Sequence, residues 1–69
     1  MKNSITRRRK HLKLSQAEVA QLAGVTRQTI NAIENNKYDP SLSLAFELAH
    51  ILNTTVDQLF MYPQEEDNE

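Results

Sequence analysis

Arg27, Gln28 and Asn31 are the side chains of this sequence whose types and spacing best suit a chemical task. On an α-helix they would project outward together, on a surface that carries no carboxylate before Glu34. Arginine can donate two hydrogen bonds to guanine, and glutamine or asparagine can form a similar pair with adenine. The pattern therefore favours a surface that reads base edges in the DNA major groove. The alternative is an ordinary polar face exposed to water.

Two short helices separated by a turn must position this surface. Ser15, followed by Glu18 three positions later, is a capping box that starts one helix. Gly24 is the only glycine of the chain and is expected to end that helix with a positive φ. Thr26 then caps a second helix that runs to about Asn35. Helix, tight turn and helix together form the helix-turn-helix unit.

Apolar spacing predicts three further helices, which gives an all-α fold with five. They run from Asn3 or Ser4 to about Lys13, from Pro40 or Ser41 to about Leu52, and from Val56 to about Phe60. The residues expected to face inward are Ile5, Arg9 and Leu12 in the first helix, Val19, Ala20, Leu22 and Ala23 in the second, Ile30 and Ile33 in the third, and Leu44, Leu48, Ile51 and Leu52 in the fourth, flanked by Ala45 and Ala49.

Residues 15–52 resemble the Cro/C1-type helix-turn-helix of phage repressors and of the Xre family of bacterial regulators. The resemblance extends from about Ile5 to Phe60. It depends on a specific set of features: Gln16 opening a helix, Ala20, the Gly24 turn, Ile30, the run Ile-Glu-Asn-Asn-Lys at 33–37, and Pro40-Ser41-Leu42 before the next helix. Two positions depart from the family: Lys13 and Asn36 stand where a glycine is frequent. The fold implied is a five-helix, lambda repressor-like DNA-binding domain.

The resemblance also implies a homodimer that binds a palindromic operator in double-stranded DNA as a repressor. Arg27, Gln28 and Asn31 would read bases, and Arg9 would form a structural ion pair with Glu34. Phosphate contacts are expected from Gln16, Thr26, Thr29, Asn35 and Lys37. The dimer contact is expected at the loop before the fourth helix and at the fifth helix, which offer Asp39, Pro40, Thr55, Val56 and Leu59.

The two ends of the chain are predicted to pair. Residues 1–3 are short enough to be extended, and Phe60, Met61 and Tyr62 are apolar or aromatic residues after the last helix. Small repressors of the family pair such segments as a two-stranded antiparallel ribbon, so the resemblance implies one here. The acidic tail, residues 63–69, is expected to be disordered.

Charge is strongly segregated along the chain although the net charge is only −1. Residues 1–37 contain all eight lysines and arginines and two acidic residues, a net +6. Residues 38–69 contain the other seven acidic residues and no lysine or arginine, a net −7. This dipolar arrangement would turn the basic end, which carries the helix-turn-helix, toward a polyanion.

Length and composition limit the remaining possibilities. The 69 residues provide for one small domain, expected to span residues 1–62, and the absence of cysteine excludes disulfides and thiolate metal sites. Neither a membrane-length apolar run nor a signal peptide is present, so we expect a cytoplasmic protein without membrane insertion. His11 and His50 lie on different helices without an obvious Ser or Asp partner. We therefore expect no enzyme activity, no cofactor and no metal.

Two functional classes stay open from the sequence. The favoured one is the dimeric DNA-binding regulator, and the other is an antitoxin or protein-partner module that uses the same fold. Specific operator protection by the isolated chain would favour the first, and a co-purifying protein would favour the second. Because no ligand-binding domain is evident, we expect release from DNA to depend on a second regulatory protein.

Overall fold

A computed structural model describes residues 1–61, and within them five helices and a two-stranded antiparallel sheet make up the fold. In chain order these are β1 (Lys2–Asn3), α1 (Ile5–His11), α2 (Gln16–Ala23), α3 (Arg27–Glu34), α4 (Leu42–Ile51), α5 (Val56–Leu59) and β2 (Phe60–Met61). The predicted five-helix architecture with a terminal ribbon is confirmed. α5 ends one residue earlier than expected because Phe60 enters β2.

Side-chain caps mark the starts of α2, α3 and α4. The Ser15 hydroxyl accepts a hydrogen bond from the Glu18 N–H at 3.0 Å, and the Glu18 carboxylate accepts one from the Ser15 N–H at 2.7 Å. The capping box predicted for α2 is therefore present. Thr26 and Ser41 cap α3 and α4 through their hydroxyl oxygens. Local sequence thus sets the beginning of both helices of the helix-turn-helix unit.

The first four helices all end in the same way. A residue with positive φ follows each of them: Lys13 (61°), Gly24 (74°), Asn36 (61°) and Asn53 (59°). In every case the next residue's N–H donates to the carbonyl five residues before it, at 2.8–3.0 Å. This is the hydrogen bond of a Schellman cap. Asparagine and glycine tolerate this conformation, whereas lysine is an unusual choice for it.

Lys13→Gly is expected to raise the free energy of unfolding by about 0.5–1 kcal/mol, because the left-handed conformation is costly for a residue with a Cβ. The melting temperature should rise by roughly 4 °C, measured by circular dichroism. Lys13→Ala removes the same charge but keeps the Cβ, so it should give no gain. An equal rise in both variants would contradict the conformational explanation.

A single core lies between the helices. Its buried apolar side chains are Ile5, Val19, Ala20, Ile30, Ile33, Ala45, Leu48, Ala49, Leu52, Leu59 and Phe60. Two of the expected inward residues lie at the surface instead, since Leu12 is 39% exposed and Leu22 is 58% exposed. Leu12 lies just past the end of the seven-residue α1, and Leu22 lies near the end of the eight-residue α2. An apolar stripe this short leaves the rotation of its helix loosely specified.

α4 buries Leu48 and Leu52 as expected, but its buried face is shifted toward its alanines. Ala45 and Ala49 are buried, whereas Leu44 and Ile51 are only partly buried. α4 packs against α2 and α5. Because small side chains let a neighbouring helix approach closely, the alanine side of α4 faces these helices. The large side chains on the rest of α4 are consequently turned toward the surface.

The terminal ribbon joins the N-terminus to the segment after α5, and one of its side chains also reaches the end of α3. Lys2 pairs with Met61 and Asn3 pairs with Phe60. The Asn3 side-chain amide also donates to the Ile33 carbonyl at 2.8 Å. A two-stranded ribbon is marginal by itself, so this side-chain bond and the packing of the core support it.

The Tyr62 strand assignment and the tail predicted for residues 63–69 lie outside the described residues. Among residues 1–61, no helix has the length and apolar character that crossing a membrane requires.

Candidate nucleic-acid interface

α3 displays the polar face that its sequence predicts. Arg27, Gln28 and Asn31 are all exposed, while Ile30 and Ile33 on the opposite side are completely or almost completely buried. The two isoleucines anchor the helix in the core and fix its rotation about its own axis. Three side chains that can hydrogen-bond to base edges are therefore held outward on one rigid element.

The start of α3 is organised by two threonines. The Thr26 hydroxyl accepts from the Thr29 N–H at 3.2 Å, and the two hydroxyls lie 3.1 Å apart, within hydrogen-bond distance. Thr26 is exposed and Thr29 is partly exposed. One hydroxyl donates to the other, so the second hydroxyl can still donate to an external acceptor.

Glu34 joins α3 to the two preceding helices. Its carboxylate accepts from Arg9 Nε at 2.8 Å, Arg9 Nη2 at 3.3 Å, Gln16 Nε2 at 3.0 Å and Thr6 Oγ1 at 2.8 Å. Arg9 and Glu34 side chains are only 11% and 5% exposed. Arg9 also donates to the Leu14 carbonyl at 3.1 Å, which ties the link after α1 into the same cluster. The structure thus brings together the two residues expected to pair.

The protonation of Glu34 responds to these contacts. Burial alone would raise the pKa of its carboxyl group, but hydrogen bonds from Arg9, Gln16 and Thr6, together with the Arg9 charge, favour the ionised form. The net effect is a pKa below the ordinary value of 4.5. Glu34 is therefore ionised at neutral pH and holds α3 against α1 and α2.

Gln16 has an additional role that sequence reasoning missed. Its side-chain nitrogen donates to Glu34 across the helix-turn-helix, and it remains partly exposed at the first position of α2. The second N–H of that nitrogen and the backbone amides at the start of α2 could still reach a phosphate. No local signal indicates that Gln16 and Thr6 would share the carboxylate with Arg9, because the three residues come from two different helices.

The Asn35 side chain, for which a phosphate contact is predicted, hydrogen-bonds to Asn31 at the end of α3. Its side-chain nitrogen donates to the Asn31 carbonyl at 2.8 Å and to Asn31 Oδ1 at 3.2 Å. To contact a phosphate, this nitrogen would have to exchange one of its two bonds to Asn31 for a phosphate oxygen. Lys37 lies beyond the end of α3 and is exposed, so its ammonium group has no such constraint.

The residues expected at a dimer contact do not all lie at the surface. Thr55 and Asp39 are exposed, and Pro40 and Val56 are partly exposed. Asp39 accepts a hydrogen bond from the N-terminal ammonium group at 3.1 Å. Leu59 is 0% exposed, so the prediction that it contacts a partner is corrected: its side chain packs inside the protomer.

Leu42 and Phe46 were not expected at this surface. They are 69% and 59% exposed and lie four positions apart on α4. Phe46 borders a surface groove of about 520 Å³ that is also lined by Ala49, His50 and residues 54–57. The sequence shows that positions 42 and 46 hold large apolar residues, but it does not show that they are exposed. They are exposed because α4 packs against the core through its alanines.

Within residues 1–61, no three His, Cys, Asp or Glu side chains are grouped so that they could hold a metal ion.

The chain matches known proteins over most of its length. A family model described as helix-turn-helix matches residues 5–59. An uncharacterised HTH-type transcriptional regulator from Methanocaldococcus jannaschii is 44% identical over 66 residues, which cover 96% of this chain and 100% of that relative.

Two solved structures are similar as well. SinR, described as the master regulator for biofilm formation and solved in complex with DNA, has a TM-score of 0.69 and 30% identity, with 75% of this chain and 84% of SinR covered. The hydroxypropylphosphonic acid epoxidase from S. wedmorenis has a TM-score of 0.75 and 31% identity over 83% of this chain, which spans only 31% of the epoxidase. Because the family match includes α1 to α5, the chain belongs to the Cro/C1-type helix-turn-helix family.

Proposed function

We propose that this chain is a homodimeric repressor that binds a palindromic operator in double-stranded DNA. Family membership and the similar HTH-type regulators support DNA-binding transcriptional regulation as its general role. The observation that carries the specific proposal is the outward row of Arg27, Gln28 and Asn31 on a capped and anchored α3. SinR, a similar protein, was solved in complex with DNA, which supports duplex DNA as the partner.

In the proposed complex α3 enters the major groove and its three outward side chains contact base edges. Thr26 and Thr29 at the start of α3, Gln16 at the start of α2, and Lys37 beyond α3 would bind the flanking phosphates. Gln16 and Thr26 precede the proposed reading face in the sequence, Thr29 lies within it, and Lys37 follows it. Phosphate contacts would set the register and base contacts the specificity.

The charge distribution supports the same orientation. The net charge of +6 in residues 1–37 coincides with the part of the chain that contains α1, α2 and α3. The acidic residues of positions 38–69 begin with Asp39, before α4. An approaching duplex would be attracted to the first part and repelled by the second, which favours docking through α3.

For the dimer we propose the exposed apolar face formed by Leu42, Phe46 and Val56, called here the α4–α5 face. It includes Val56 from the sequence prediction and the two large side chains that α4 exposes. A contiguous apolar surface of this kind on a small domain typically marks a contact, and a two-fold axis lets one face cover its own copy. Two such subunits would present two α3 helices to the two halves of a palindrome. Occupation of a promoter by this dimer in the cytoplasm would exclude RNA polymerase.

Arg27→Ala and Gln28→Ala are each expected to reduce the discrimination between operator and unrelated DNA by roughly 10- to 100-fold, since a good bidentate base contact contributes about 1–3 kcal/mol. The operator is first obtained by selecting bound sites from a random duplex library. Competition binding at one fixed salt concentration then measures the preference.

Arg7→Ala is the matched control for this readout experiment. Arg7 is an exposed arginine on α1, so the variant loses the same charge away from the reading face. It should retain the operator preference of the wild-type protein. Wild-type discrimination in both Arg27→Ala and Gln28→Ala would overturn base readout by the start of α3.

A further inference from the structure

Asn35 and Asn31 form a defined side-chain pair on the exposed face of α3. The two residues are one helical turn apart, and positions i and i+4 lie on the same side of a helix. Asn35 Nδ2 lies 2.8 Å from the Asn31 carbonyl oxygen and 3.2 Å from Asn31 Oδ1. This pair decides which end of the Asn31 amide can meet a base.

The orientation of both amides follows from hydrogen-bond chemistry alone. A backbone carbonyl can only accept, so the Asn35 atom that contacts it must be the –NH₂ nitrogen. That nitrogen can only donate, so the Asn31 atom facing it must be the oxygen. The amide group of Asn31 is therefore oriented with its oxygen toward Asn35 and its –NH₂ group away from it.

We propose that Asn35 is a positioning residue that makes Asn31 present a hydrogen-bond donor to the DNA. The inference rests on the proposed function, in which Asn31 contacts a base. In the major groove guanine offers two acceptors, N7 and O6, whereas cytosine offers the N4 donor. An outward –NH₂ group complements the first and repels the second. The operator position under Asn31 should consequently favour guanine and exclude cytosine.

An unrestrained asparagine would behave differently. Free rotation lets it use both amide atoms on adenine, with the oxygen accepting from N6 and the nitrogen donating to N7. Because Asn35 holds Asn31 Oδ1 toward itself, adenine N6 could reach that oxygen only through its second lone pair, which makes the bidentate geometry harder to form. The side chain at position 35 thereby sets the base preference of the side chain at position 31.

The test selects bound sites from a random duplex library with the full chain and compares base preferences rather than affinities. Asn31→Ala first identifies the operator position that Asn31 contacts, because only that position should lose its preference. Asn35→Asp replaces the amide donor with a carboxylate, which attracts the Asn31 –NH₂ group and turns its oxygen outward. The guanine-to-cytosine ratio at that position should fall by about 3- to 10-fold, the effect of exchanging one favourable hydrogen bond.

Two further variants test the same positioning effect, so the proposal can be judged even if Asn35→Asp does not fold. Asn31→Asp keeps the Asn35 donor and points an oxygen outward, so it should also shift the preference toward cytosine, which donates from N4. Asn35→Ala frees the amide and should shift the preference toward adenine.

The possible failures are distinguishable. If Asn31→Ala changes no operator position, base readout by Asn31 in the proposed function is wrong. If Asn31→Ala removes one preference while wild type, Asn35→Asp and Asn35→Ala share the same preferred base there, positioning by Asn35 is wrong. A wild-type preference for cytosine at that position would also overturn it.

Discussion

Glu34→Ala is expected to lower the free energy of unfolding by about 3–5 kcal/mol, the cost of removing one partner from a buried ion pair. The substitution leaves the Arg9 side chain, which is 11% exposed, without its carboxylate partner, and it removes the acceptor used by Gln16 and Thr6. A domain of this length has little stability in reserve. The variant should therefore be largely unfolded at room temperature, as measured by circular dichroism and urea titration.

A milder variant, Glu34→Gln, should show how the Glu34 charge contributes to stability when it is compared with wild type at decreasing pH. The folded-state pKa of Glu34 lies below its ordinary value of 4.5, so the ionised carboxylate stabilises the fold at pH values above that value. This stabilisation is lost as the pH falls through the folded-state pKa. Wild type should consequently be more stable than Glu34→Gln at neutral pH, and the difference between them should shrink as the pH is lowered.

Glu47→Gln is the control for both experiments on Glu34. Glu47 is an exposed glutamate on α4, so this variant loses the same charge without breaking a buried contact. Its unfolding free energy should stay within about 0.5 kcal/mol of wild type. A loss as small as this in Glu34→Ala would mean that the Arg9 pair contributes nothing to stability.

Phe46→Asp is expected to convert the proposed dimer into monomers. Its side chain is 59% exposed, so the charge is tolerated within a protomer, but a two-fold contact would place it against its own copy. Operator affinity should fall by at least about 100-fold because the two half-sites are no longer bound as one unit. Sedimentation of the free chain and operator titration measure the two effects, and helicity should remain unchanged.

Leu22→Asp provides a matched comparison for Phe46→Asp. Leu22 is 58% exposed and lies on α2, outside the α4–α5 face. The variant should sediment as wild type does. If Leu22→Asp is monomeric and Phe46→Asp remains dimeric, the dimer contact lies on another surface. If the wild-type chain binds operator DNA as a monomer, the dimer proposal is wrong.

The boundaries of the helix-turn-helix were predictable because they depend on neighbours in the sequence. Ser15 and Glu18 cap one helix, Gly24 ends it, and Thr26 starts the next, and each of these contacts spans only a few residues. The outward position of Arg27, Gln28 and Asn31 followed in the same way, since Ile30 and Ile33 had to face the core. Local hydrogen bonding and apolar spacing contain this information.

The family resemblance predicted two contacts between distant residues, the Arg9–Glu34 pair and the terminal ribbon, and the structure contains both. The resemblance did not predict that Gln16 and Thr6 also donate hydrogen bonds to the Glu34 carboxylate. Gln16 and Thr6 reach Glu34 only because three helices meet at that point. Contacts between residues far apart in sequence depend on helix positions that no local pattern encodes.

The sequence by itself therefore determined the order of the helices, the caps of α2, α3 and α4, and the side of α3 that faces outward, because short-range spacing decides these features. Tertiary structure alone decided that Leu59 is buried and that Phe46 is exposed. The physical reason is that a short apolar stripe leaves the rotation of a helix open by tens of degrees. In α4, the burial of Ala45 and Ala49 fixes the rotation of the helix about its own axis.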